Sequence, residues 1–285
     1  MMRAATLACA ALWAMPAAAQ DHAEHTGHTV NEAESAPPVE GEPPPRSLEG
    51  PLHAADAVWG EEAMRASRAA LVSAHGGLRT GSFLIERLEA RPGEGADGYA
   101  WDVQGWYGGD INRLVVKSEG EGEFSGGLEE AEVQALFSRA LTPFFDLQAG
   151  ARVDFEPEGR SHLVLGVEGL APYMWHVDAA LFLSDRGDLM ARVEAEYDQR
   201  LTQRLILQPR IEVEAAAQDI PERGTGAGLT SIEAGLRLRY EVVPEFAPYL
   251  GLEYAAKPGE TGDLARAAGD DPNGVTFLIG LRAWF

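Results

Sequence analysis

The run Val275-Thr276-Phe277-Leu278-Ile279-Gly280-Leu281-Arg282-Ala283-Trp284-Phe285 alternates strictly. Val275, Phe277, Ile279, Leu281, Ala283 and Phe285 share one face, and every one of them is apolar. Thr276, Leu278, Gly280, Arg282 and Trp284 share the other. A period of two is the signature of a β-strand, and a wholly apolar face implies an apolar medium on that side. The pattern recurs upstream. Arg192, Glu194, Glu196 and Asp198 oppose Leu189, Ala191, Val193, Ala195 and Tyr197. Gln208, Arg210, Glu212 and Glu214 oppose Leu205, Leu207, Ile211 and Val213, while Glu233, Arg237 and Arg239 oppose Ile232, Leu236, Leu238 and Tyr240.

Twelve strand-like segments are expected, at about 83–91, 99–107, 112–120, 131–141, 145–155, 162–170, 174–184, 189–199, 204–217, 230–242, 247–256 and 275–285. Alternate links are tight: Gly108-Gly109-Asp110, Thr142-Pro143-Phe144, Ala171-Pro172-Tyr173, Thr202-Gln203 and Val243-Pro244-Glu245-Phe246. The intervening links, such as 156–161, 218–229 and 257–274, are expected to be longer and rich in Gly and charge. A last strand ending on Phe resembles the final strand of bacterial outer-membrane barrels. Beyond residue 19 no apolar run is long enough for a spanning helix, and in lipid every backbone group must be paired. The expected fold class is therefore all-β, an antiparallel outer-membrane β-barrel of about twelve strands. Charged faces should line its lumen, since a charge facing lipid at mid-membrane costs roughly 2–4 kcal/mol. Trp101, Tyr107, Tyr173, Trp175, Tyr197, Tyr240 and Tyr249 are candidates for the interfacial girdles. The competing reading is a soluble β-protein with one wet face.

Residues 1–19 read as a secretory signal: Arg3, an apolar stretch from Ala4 to Met15, then Ala17-Ala18-Ala19. Cleavage there removes Cys9, the only cysteine, so the mature chain offers no thiolate. Residues 20–54, rich in Pro, Glu, Ala and His, are expected to form a disordered periplasmic arm. Residues 55–82 are expected to hold a short helix, begun by Asp56, bearing Val58, Met64, Leu71 and Val72, and ended by Gly76-Gly77. The barrel is expected to occupy 83–285. A net charge of −22 argues against nucleic acid or anionic lipid as partners, and it concentrates cations.

Two groupings carry metal chemistry. His22, His25 and His28 recur every third residue beside Asp21 and Glu24 in the arm, and neutral imidazole is a common ligand for borderline metals. Met174, His176 and Asp178 alternate onto the expected lumenal face, with His162 and Glu168 of matching parity on the preceding strand. Thioether with imidazole suits copper, particularly Cu(I). The plainer reading is that these side chains merely fill a narrow lumen. His53 and His75 are weaker candidates. Arg192, Arg210, Arg237 and Arg239 are expected to neutralise Glu194, Glu196, Glu212 and Glu233 and to narrow the pore. No serine has a His/Asp arrangement nearby in sequence, so no enzymatic role is assigned.

The series His53-Ala54-Ala55-Asp56, His75-Gly76-Gly77, Arg87-Leu88-Glu89-Ala90-Arg91-Pro92-Gly93, Asp97-Gly98-Tyr99-Ala100-Trp101-Asp102 and Trp106-Tyr107-Gly108-Gly109-Asp110 resembles the copper resistance protein B family. The likeness continues through Phe144-Phe145-Asp146-Leu147-Gln148-Ala149-Gly150, Gly166-Val167-Glu168-Gly169-Leu170-Ala171-Pro172-Tyr173 and Tyr249-Leu250-Gly251-Leu252-Glu253-Tyr254. The resemblance implies an outer-membrane protein of copper resistance or homeostasis in a Gram-negative bacterium, with copper as the ion bound or moved. It implies outer-membrane lipid around the barrel and a periplasmic multicopper oxidase as partner. Family members often carry a Met/His-rich arm; here the arm has three His and no Met. Two other classes are carried alongside: a general-diffusion or structural barrel with incidental metal binding, and a lipid-modifying enzyme.

Overall fold

The computed structural model describes residues 53–75, 78–93 and 97–285. The expected signal peptide and His22, His25 and His28 lie outside the described residues. The strands are β1 (Thr80–Arg91), β2 (Gly98–Gly108), β3 (Asn112–Glu123), β4 (Gly127–Ala140), β5 (Phe145–Glu156), β6 (Arg160–Ala171) and β7 (Trp175–Ser184). There follow β8 (Leu189–Glu196, resumed at Gln199–Arg200), β9 (Leu205–Ala216), β10 (Gly228–Tyr240), β11 (Phe246–Ala256) and β12 (Asn273–Trp284). Each pairs antiparallel with the next, and β12 returns to β1, with Leu84 opposite Trp284 and Ala90 opposite Ile279. Phe285 completes the closure by exchanging backbone hydrogen bonds with Phe83, at 2.8 and 3.0 Å. A closed ladder leaves no strand edge unpaired, which is the condition for crossing hydrocarbon with strands.

The packing inverts that of a water-soluble protein. Val275, Phe277 and Ile279 stand exposed on β12, as do Val133 and Phe137 on β4 and Leu163 and Leu165 on β6. The largest of the fully buried side chains are instead Arg237 and Arg239, each 1% exposed. Alternation thus sends apolar groups outward and charge inward, as the sequence predicts.

Two local departures set where lumenal charges stand. In β1 the pairing slips around Glu86: Ile85 faces Val103, yet Arg87 already faces Asp102. This bulge inserts one residue and turns Glu86 and Arg87 both inward. In β8 the ladder breaks at Tyr197 and Asp198, opposite Pro209 of β9. The Pro209 carbonyl accepts from Tyr197 N at 3.1 Å, but its ring nitrogen has no proton to return.

The inner turns, at the end expected to face the periplasm, are short, and two share one device. Thr142 Oγ1 accepts from the Phe145 amide at 2.9 Å, and Thr202 Oγ1 accepts from the Leu205 amide at 2.9 Å. At the β6–β7 turn, Pro172–Met174, both Tyr173 (φ 66°) and Met174 (φ 67°) are left-handed. Two consecutive positive φ values suit a tight hairpin, but bulky residues adopt them at a cost of order 1 kcal/mol or more each. Long outer loops are found at 217–227 and 257–272, whereas 124–126, 157–159 and 185–188 are as tight as the inner turns. The 185–188 turn closes because Ser184 Oγ accepts from Asp188 N at 2.9 Å and from Arg186 N at 3.2 Å. The segment expected to be loop at 257–274 contains a helix, α3 (Gly259–Ala268), ended by left-handed Gly269. The two long loops touch where Gly226 N donates to Thr261 Oγ1 at 3.0 Å.

Ahead of the barrel, the single helix expected near Asp56 is two. The short α1 (Asp56–Trp59) is ended by Gly60 at φ 85°, and α2 (Glu61–His75) follows in sequence with no buried residue.

Candidate functional site

The lumen holds a cavity of about 520 Å³ on the inner side and one of about 70 Å³ on the outer side. Glu119, Glu132, Arg192 and Glu212 border both, so they form the wall between them. Arg192 is its crossbar. From β8 it reaches Glu119 on β3 at 2.9 Å and Glu132 on β4 at 3.1 Å, while its Nε bonds Glu214 on neighbouring β9 at 2.8 Å. Around it, Arg87 joins Asp102 and Glu119 at 3.0 and 2.6 Å, and Arg152 joins Glu132 at 2.7 Å. The outer cavity is clamped further by Arg223, which drops from the 217–227 loop to Asp154 at 2.6 Å.

The expected Arg–Glu network is present, with partial changes of partner. Arg210 holds Glu194, Glu212 and Glu233. Arg237 instead holds Glu89 at 2.8 Å and Glu253 at 2.8 Å, and Arg239 holds Asp198. Glu196 receives the Gln208 amide at 2.9 Å. Three residues expected in the girdles belong inside. Tyr249 is 5% exposed and donates its hydroxyl to Glu89 at 2.9 Å; Trp101 donates Nε1 to Ser118 at 3.2 Å; Tyr197 borders the inner cavity. Tyr249 shares parity with lumenal Glu253, a signal available in the sequence. Gly280 makes its room, since a Cβ there would lie 2.5 Å from the ring.

The inner cavity collects four of the five donors predicted for the lumen. Pairing of β6 with β7 sets Glu168 opposite Asp178 and Leu170 opposite His176, and the β6–β7 turn holds Met174 at the cavity's inner end. Met174, His176, Asp178 and Glu168 all line this one space. His176 Nε2 stands 3.9 Å from Glu168 Oε1. Lys117, on β3 across the lumen, was not among the predicted residues. Its ammonium donates to Glu168 Oε2 at 2.8 Å and to Asp178 Oδ2 at 2.5 Å. Gln148 of β5 also donates to Glu168 Oε2, at 2.7 Å.

His162 does not join them. It pairs with Ser184 near the outer end of β6, eight residues from the position facing His176, or roughly 26 Å along the strand. There it is 3% exposed, edge-on to Phe182, with Nδ1 lacking a hydrogen-bond partner and 3.8 Å from Asp154. Arg152 and Arg223 both bind that same Asp154, so any cation at His162 meets two guanidiniums. His53 and His75 are exposed. Among the described residues no three His, Cys, Asp or Glu side chains already converge to hold a metal. Lys117 Nζ stands between Glu168 and Asp178, within hydrogen-bond distance of both.

Comparison with known proteins gives a consistent set of likenesses. The family model described as copper resistance protein B precursor (CopB) matches residues 79–285. A copper resistance protein B homolog of Pseudomonas syringae pv. tomato is 42% identical over 227 residues, covering 77% of each chain. Copper resistance protein B of Escherichia coli is 43% identical over 203 residues, covering 71% of this chain and 68% of that one. Among solved structures, the NanC porin aligns with 70% of this chain and 98% of its own, at 13% identity and a TM-score of 0.47.

Proposed function

This chain belongs to the copper resistance protein B family of outer-membrane β-barrels, and we propose that it binds periplasmic copper in its inner cavity and holds it there or passes it across the membrane. The observation that carries this reading is the gathering of Met174, His176, Asp178 and Glu168 around one cavity. A thioether, an imidazole and two carboxylates together suit copper in either common oxidation state better than they suit hard cations. The left-handed backbone at Tyr173 and Met174 supports it, since strain of that kind in bulky residues is characteristic of functional positions. The surplus of carboxylates over cations around the cavity supplies a field that attracts a metal cation.

His22, His25 and His28 are proposed as the capture point that feeds this cavity, and a periplasmic multicopper oxidase as the partner with which copper is exchanged. His162, set among Arg152 and Arg223, is left out of the pathway. Copper is cargo in this reading, and no catalytic step is assigned.

The test is copper flux into liposomes holding the refolded protein, with protein-free liposomes and zinc as controls. Selective copper entry, lost in the Met174→Ala/His176→Ala double variant, is the expected result for a conduit. Copper bound without flux makes the barrel a store or delivery protein. Copper neither bound nor moved by the barrel overturns the proposal.

A further inference from the structure

The chain has 23 Lys and Arg residues, of which two are lysines, Lys117 and Lys257. Every other cation described as paired inside the lumen is an arginine. Arginine forks hold carboxylates through several fixed donors at once, as Arg282 does with both oxygens of Glu86 at 2.7 and 3.0 Å. A lysine ammonium is a single point charge on a flexible stem, and it leaves a carboxylate pair more readily. The one lumenal lysine stands among the predicted metal donors, bridging Glu168 and Asp178 from across the barrel.

Resting on the lumenal copper site proposed above, we infer that Lys117 is a tethered stand-in cation that occupies the Glu168–Asp178 pair until a metal displaces it, and that this competition selects which metals bind. The geometry fits an exchange. Nζ lies between the two carboxylates, with the second oxygen of Glu168 turned to His176 Nε2 at 3.9 Å. A metal taking the place of Nζ would keep both carboxylates and could add the imidazole, with Met174 lining the same space. The cavity of about 520 Å³ leaves room for the displaced side chain. Sodium, magnesium and calcium bring charge but little affinity for nitrogen or sulfur, so they gain nothing over the ammonium already present. Copper gains the bonds that an ammonium cannot make. Lys117 is thus a specificity-determining residue.

The experiment uses the full chain with His22, His25 and His28 changed to Ala, which confines binding to the barrel. Cu(II) and Ca(II) affinities are measured by chelator competition for this parent and for Lys117→Gln, Lys117→Met and Arg282→Gln, each first shown to have the heat-modifiable gel mobility of a folded barrel. Both Lys117 variants are expected to bind Cu(II) about tenfold more tightly and to acquire Ca(II) binding that the parent lacks. Arg282→Gln removes the same charge from the same cavity without freeing the Glu168–Asp178 pair, and should change either affinity much less. Lys117 variants indistinguishable from the parent overturn the inference, as does an equal gain in Arg282→Gln, which would mean mean-field attraction only. If the parent binds copper and Met174→Ala/His176→Ala abolishes it while Lys117→Gln changes nothing, the site stands and this inference alone falls. If neither parent nor Lys117 variants bind, the lumenal site itself falls and takes the inference with it.

Discussion

The inner and outer halves of the lumen are built from the same alternating strands, yet one is open and the other is packed. In the outer half, arginines of β1, β5 and β8 each take two or more carboxylates, Arg223 of the 217–227 loop takes Asp154, and about 70 Å³ is left. In the inner half, Lys117 holds two carboxylates, Glu196 receives only an amide, and about 520 Å³ stays open. Facing inward is therefore not enough to make a charged residue functional. Multiply bonded guanidiniums turn an acidic wall into structure; a single displaceable ammonium leaves it available.

Arg192→Ala is the strongest way to erase this contrast. It removes the crossbar to Glu119, Glu132 and Glu214, leaving mutually repelling carboxylates in the septum. The expected outcome is a joined lumen with several-fold higher single-channel conductance in planar bilayers. Stability in lipid vesicles should fall by about 3–5 kcal/mol, the usual cost of stranding buried charges. Unchanged conductance would show that the two halves are separated by something other than this residue. Gly280→Ala sharpens the contrast from the other side, because the new Cβ would press on the Tyr249 ring 2.5 Å away and disturb its bond to Glu89. Urea unfolding should show a loss of about 1–3 kcal/mol with copper affinity unaltered.

The smallest effect belongs to the outer rim. Hydrogen bonds from Arg186 hold the exposed Glu158 carboxylate below its ordinary range, with Arg160 adding to them. A depressed folded value means that the pair stabilises the turn above the unfolded carboxylate pKa and stops doing so as pH falls through the folded one. Melting of parent and Glu158→Gln, followed from about pH 7 to about pH 3, should show a slight gap that closes at the acid end. A gap that widened with acid would contradict the assignment.

Much of this was legible in the sequence because lipid enforces period two: a charge facing outward is too costly to tolerate, so faces declare themselves in each strand. The β12 pattern, the five tight inner turns and the inward face shared by His176 and Asp178 were readable in that way, whereas Met174 stands in the turn ahead of β7 and not on its face. Partners across the lumen were not. Arg192 meets Glu119 from β8 to β3, and nothing local to either strand encodes that distance. The phase slip at Glu86 is likewise set by neighbouring strands, and α3 was hidden by the Gly and charge that elsewhere mark a loop. The displacement of His162 from the site was a signal available and missed. Parity fixes a face, but antiparallel order fixes height, and His162 stands at the opposite end of β6 from the turn that carries Met174. Lys117 escaped because nothing local to β3 announces the carboxylates it meets on β6 and β7.

A closed sheet behaves as a hoop, stiff all the way round while every rung is in place. Pro209 removes a rung between β8 and β9, beside Tyr197 and Asp198 on the rim of the inner cavity. Compliance is therefore concentrated in one sector of the wall. Amide protons at Gln199 and Arg200, held by a two-residue piece of ladder, should exchange with solvent before those of any full-length strand. The wall is expected to yield there first while the neighbouring sectors of the hoop keep their pairing.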